Sequence, residues 1–160
     1  IVHGLAPKDA TYAYSVLIQP TAEELAAAQK DPGYSILRRD RQAHIVFDRA
    51  SGVTGYAAFE AVSLPEDEIV ADIAPETMVM HRTAEDGTLI VSVCDPNLHI
   101  KEKTYTTPEP SAPSFKTLHL RGAWSLAVSN EKVKIQLTGD VTEITVTCRH
   151  GQPVEFRLKQ

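Results

Sequence analysis

The residues best suited to chemistry stand early in the chain: His3, Tyr12 and Tyr14, with Arg41 and His44 further on. Together these types could carry a β-elimination beside a uronate carboxylate. A neutral His or Tyr would take the proton, a Tyr would protonate the leaving oxygen, and Arg would neutralise the carboxylate. However, Tyr12 and Tyr14 alternate in step with Val16 and Ile18, so the period of two assigns both rings to a packed strand face. No catalytic role is expected for this set. The histidines, at positions 3, 44, 81, 99, 119 and 150, are scattered, and no two share metal-ligand spacing on one element. They are expected to be surface residues or satisfied core residues. There is no GxSxG elbow, Gly-rich phosphate loop, HExxH or paired-carboxylate motif. Cys94 and Cys148 fit no zinc spacing; two buried free thiols are expected, with one disulfide as the alternative. No catalytic residue, metal or cofactor is predicted.

Binding offers a few candidates. Arg38, Arg39 and Arg41 form the densest basic cluster, which reads first as a solvated turn and second as an anion-binding patch. Carbohydrate faces stack on exposed flat rings, yet aromatics make up only 6% of the chain. Trp124 shares parity with Leu126 and Val128 and belongs to the core. Tyr105, near a Pro-rich loop, and Tyr34, after Pro32-Gly33, are the freest rings. The candidate substrate-binding residues are therefore Arg38, Arg39, Arg41 and Tyr105. A net charge of −5, from 16 basic and 21 acidic residues, argues against nucleic acid as a partner.

The elements that would position these residues are mostly strands. The 160 residues, 42% hydrophobic and 23% charged, suit one ordinary globular domain. No apolar run approaches the roughly 18 residues of a membrane helix, so no membrane partner is expected. The chain opens Ile1-Val2-His3-Gly4 and reads as a piece of something longer. A strand is predicted over residues 11–19. Thr21 then stands three residues before Glu24, a capping box, and an Ala-rich stretch predicts one short helix over 22–30, ended by Asp31-Pro32-Gly33. Strands are predicted at 34–39 and 43–47. Gly52 to Gly55 reads as a turn feeding a strand over 56–62, and Pro65 to Glu68 as an exposed acidic turn. Strands at 77–82 and 88–94 flank the hairpin signal Glu85-Asp86-Gly87. Residues 106–114 read as a loop. Beyond it one parity is kept by Leu118 and Leu120, by Trp124, Leu126 and Val128, and by Val133, Ile135 and Leu137. Ile144, Val146 and Cys148 continue it, as do Val154, Phe156 and Leu158. Such alternation, with frequent turns, predicts an all-β protein: an antiparallel β-sandwich with one short helix near the N-terminus.

Certain stretches resemble a known family. The opening His3-Gly4-x-x-Pro7-x-x-Ala10-x-Tyr12-x-Tyr14, then Pro20, is similar to a signature of the family-eight polysaccharide lyases. The similarity continues through Gln42-Ala43-His44, through Gly52 to Phe59, and through Val93-Cys94-Asp95-Pro96. Ala43-His44-Ile45-Val46 looks closest to the chondroitin ABC type. The resemblance covers most of the first hundred residues, and the last sixty match only in strand pattern. It implies residues 1–33 as the tail of a preceding central β-domain and 34–160 as a C-terminal β-sandwich. The family's catalytic positions would precede Ile1, so none is carried over. The implied function is that of a non-catalytic module of a lyase degrading chondroitin sulfate or hyaluronan. Upstream domains of the same enzyme would be its partners, and the location would be secreted or periplasmic. A polysaccharide-binding module and a free-standing immunoglobulin-like interaction domain are the rival readings. The apolar face of residues 11–19, if left unpaired, would also offer an edge for dimerisation.

Overall fold

A computed structural model describes residues 15–97 and 112–160. His3, Tyr12, Tyr14, His99 and Tyr105 lie outside the described residues. The chain divides into two compact units, Ile1–Gly33 and Tyr34–Gln160.

In the first unit the predicted helix is present as α1 (Ala22–Lys30), closed at its start by a complete capping box. The Thr21 amide donates to the Glu24 carboxylate at 2.8 Å, and the Glu24 amide donates to the Thr21 hydroxyl at 3.2 Å. Glu23 and Glu24 in the first turn and Lys30 in the last complement the helix dipole. No residue of α1 is buried, so local capping rather than packing supports it. The strand expected over 11–19 is not formed in its described part. Residues 15–19 are irregular, and Val16 and Ile18 are exposed. A strand needs a neighbour to take its backbone groups, and an apolar alternation alone does not supply one.

The second unit is the sandwich. Among the described residues its strands are β1 (Tyr34–Arg39), β2 (Ala43–Asp48), β3 (Val53–Ala58), β4 (Val62–Ser63), β5 (Val70–Ile73) and β6 (Thr77–Thr83). They continue with β7 (Leu89–Cys94), β8 (Ser114–Arg121), β9 (Ser125–Leu126), β10 (Val133–Thr138), β11 (Val141–Cys148) and β12 (Val154–Lys159). One sheet has the order β1-β2-β3-β6-β7-β12-β9 and the other β10-β11-β8-β5-β4. All pairings are antiparallel. The β6–β7 hairpin turns at Gly87, whose φ of 80° lies in the region that glycine adopts without steric cost. The expected turn at Gly52–Gly55 is shorter than the glycines suggested: Gly52 closes it, and Val53 already begins β3.

Alternation places the core. Ile45, Tyr56, Val79, Val91 and Phe156 point inward from the larger sheet, and Ile73, Leu118, Leu120, Ile144 and Val146 from the smaller. The parity rule fails in two places. Val128 is exposed, and along β10 burial fades from Val133 through Ile135 to an exposed Leu137. β10 is an edge strand, so correct parity there no longer ensures a facing layer. No described helix is long and apolar enough to cross a membrane.

Candidate functional site

The arginine cluster does not act as one unit. Arg38 is half-buried at the end of β1, just past a register shift. Its Nε donates to Asp40 at 2.6 Å, one Nη to the Gln42 side chain at 2.7 Å, and the other Nη to the Ser63 carbonyl at 3.3 Å. Asp40 in turn accepts from the amides of Gln42 and Ala43. The Ala43 amide, then Arg38, hold the Asp40 carboxyl below its usual range. Arg38 therefore builds the β1–β2 turn. Arg39 and Arg41 are exposed, with Arg39 opposite His44 in the strand register. His44 meets Phe59 edge-on, with ring centroids 5.1 Å apart.

A constellation that sequence reasoning missed lies inside the sandwich. The Tyr56 phenol donates to Asp67 at 2.6 Å, and its oxygen lies 2.9 Å from His81 Nε2. The phenol has one proton and gives it to Asp67, so Nε2 is the donor of the second bond. His81 Nδ1 is buried with no partner, which suits a neutral ring carrying its proton on Nε2. Burial pushes the His81 pKa down against the pull of Asp67, and burial with the Asp67 bond pushes Tyr56 far up. Asp67 also accepts from the amides of Ile69 and Val70 at 2.9 and 2.8 Å. The Pro65–Glu68 turn is thus not simply an exposed acidic one: its Asp67 joins β3 and β6 of one sheet to the approach of β5 in the other. Arg121 adds to this bridge by donating to the carbonyls of Asp67 and Leu64 at 2.8 and 2.7 Å. The residue types resemble a proton-transfer set. Yet Tyr56 and His81 are only 3% and 8% exposed, which gives a polymer no access.

Two other polar groups stand on the strands. Asp95 is fully buried and accepts from the Asn97 amide and the Ser114 hydroxyl, with the Lys116 ammonium 3.3 Å away. Lys116 is itself buried, on the inward parity of Leu118 and Leu120. On the outer face of the smaller sheet, His119 lies between Asp72 (2.6 Å from Nδ1) and Glu143 (3.3 Å from Nε2). Partial burial lowers its pKa, but the bonds and charges of Asp72 and then Glu143 outweigh this, so the net shift is upward. Both ring nitrogens are thereby occupied. Among the described residues no group of three His, Cys, Asp or Glu could hold a metal ion. Cys94 and Cys148 are free thiols, both pushed up by burial.

No protein-family model matches the chain. It is 36% identical to the chondroitin sulfate ABC endolyase of Proteus vulgaris, over 99% of its own length and 15% of the relative's. It is 24% identical to the chondroitin sulfate ABC exolyase of Bacteroides thetaiotaomicron, over 100% of its length and 18% of that protein's. The chain thus spans less than a fifth of the relatives it matches. In fold it is similar to a chondroitin AC lyase of Streptomyces coelicolor, with a TM-score of 0.63 at 15% identity, over 87% of this chain and 17% of the other. Along its whole length, the chain is homologous to a segment of the chondroitin sulfate ABC lyases.

Proposed function

We propose that the chain is the non-catalytic C-terminal β-sandwich module of a polysaccharide lyase that degrades glycosaminoglycans, chondroitin sulfate or hyaluronan, by β-elimination. Its role is to pack against the other domains of that enzyme and stabilise them, and the enzyme acts outside the cytoplasm, where such polymers lie. One observation carries this reading: the chain's whole length corresponds to under a fifth of its relatives. The burial of its richest described constellation supports it, because Tyr56, Asp67 and His81 tie two sheets together where no substrate reaches.

Eliminated products are unsaturated and absorb in the ultraviolet. The purified chain, incubated with chondroitin sulfate or hyaluronan, is expected to leave that absorbance flat. Steady growth that disappears on changing Tyr12 or His3 would overturn the non-catalytic reading.

The exposure of Arg39 and Arg41 favours a second reading, a polysaccharide-holding module that also uses Tyr105. Attraction between exposed charges falls steeply with salt. Binding at low ionic strength tighter than about millimolar, abolished by Arg39→Ala with Arg41→Ala, would promote it.

A further inference from the structure

The outer faces of the two sheets differ in kind. On the smaller sheet the outward positions are mainly polar: Glu143, Thr145 and Thr147 on β11, Thr117 and His119 on β8, and Lys134 and Gln136 on β10. Phe115 and Val141 are apolar exceptions. On the larger sheet the outward positions of the first strands have an apolar centre, with Arg39, Asp48 and Arg82 at its margins. Register aligns Ile36, Val46, Gly55 and Met80 in one row across β1, β2, β3 and β6. The next row aligns Arg39, His44, Ala57 and Met78, with Phe59 against His44. Met78, Met80 and Phe59 are 44%, 52% and 50% exposed. Toward the far edge the first row turns polar, passing from Met80 through Ser92 to Glu155, and a neighbouring row runs from Arg82 through Ile90 to Arg157. An apolar centre bounded by a polar rim is the anatomy of an interface.

We propose that this face, centred on Val46, Met78 and Met80, is where the module docks on the remaining polypeptide of its lyase. The inference rests on the module reading above. It commits to that occupant because the relatives carry more than four-fifths of their length outside the matched segment. A partner joined through the same backbone meets this face at high effective concentration, so a modest apolar patch suffices to hold it. Arg39 and Arg82 stand at the margins of this face while its centre is apolar, whereas an anionic polymer would need positive charge concentrated there. The polar outer face of the smaller sheet stays in water.

The chain's two methionines both lie on this face, which gives a direct readout. Thioether oxidation by peroxide follows access of the oxidant. The experiment compares the 160-residue chain with a chimera in which it replaces the matching segment of the Proteus vulgaris endolyase. Mass spectrometry follows oxidation of the peptide that contains Met78 and Met80. The expected result is a chimera that unfolds as one unit, with oxidation slowed on the order of tenfold. Val46→Lys with Met80→Lys, at exposed positions, should leave the melting temperature of the isolated chain unchanged but uncouple the module in the chimera. Thr117→Lys with Gln136→Lys, on the other face and not cross-strand partners, should leave both the melting temperature and the coupling unchanged. A chimera that unfolds as one unit yet oxidises at the isolated chain's rate would overturn the face assignment. A chimera whose module melts independently, at the isolated chain's temperature, would overturn the module reading itself. Concentration-dependent protection in the isolated chain, lost with Met80→Lys, would give the face to a second copy and refute the proposal.

Discussion

Tyr56, Asp67 and His81 are separated by 11 and 14 positions in the sequence, and no local pattern joins them. What brings them together is register: Tyr56 pairs with Val79, which leaves His81 as its diagonal neighbour on the same inward face. Polar side chains on a buried parity were the available signal, since such groups stay buried only when paired. Removing the central hydroxyl strands two partners at once. Tyr56→Phe is expected to cost about 1–3 kcal/mol, measured by denaturant unfolding, and an unchanged midpoint would show the bridge to be energetically idle. The two paired histidines should oppose each other with pH. The His81 pKa is lowered, so its contribution is intact above the ordinary imidazole value of about 6.5 and fades as pH falls. The His119 pKa is raised, so its contribution is present below that ordinary value and is lost as pH rises through the elevated one. The melting temperature of His119→Gln should therefore trail the parent more at pH 5.5 than at pH 8. The reverse ordering would remove His119 from the ion-paired role.

The helix and the central strands were legible because their causes are local or strictly periodic. Thr21 and Glu24 carry the capping box within four residues, and both reciprocal bonds are formed. Thr21→Ala should cost α1 about 1 kcal/mol. Because α1 buries nothing, the loss belongs to residues 22–30 alone. Faster amide exchange there, with the sandwich melting unchanged, is the expected signature; no change in exchange would mean that the cap contributes nothing. Strands such as β8, β11 and β12 were equally readable, because each faces the other sheet along its length. Leu137 was misjudged because parity names the side of a sheet and not what lies opposite. Arg38 was read as part of a solvated turn, and its three acceptors become visible only once the turn is closed and Ser63 comes within reach. The cross-strand position of His119 between Asp72 and Glu143 was hidden for the same reason: strand order in a sheet is not written along the chain.

Among the described residues the buried core extends from Ala43 to Leu158 and includes none before β2, while α1 contributes no buried residue. All of these described core residues lie in the sandwich unit itself. Residues 34–160 alone should melt cooperatively within a few degrees of the full chain, since one kilocalorie per mole shifts a domain of this size by roughly 2–8 °C. A much larger drop would show that the first 33 residues supply contacts the sandwich needs. The full chain should differ from this truncation in association. Val16 and Ile18 are 77% and 90% exposed, in a segment without described strand structure. An apolar stretch with open backbone groups is a pairing template for a second copy. Sizing across a dilution series should find a larger species in the full chain at high concentration, lost on removing residues 1–20 and retained in Met80→Lys. Association that survives the truncation would place the contact on the sandwich instead. A full chain that stays monomeric throughout would mean that residues 11–19 do not pair at all.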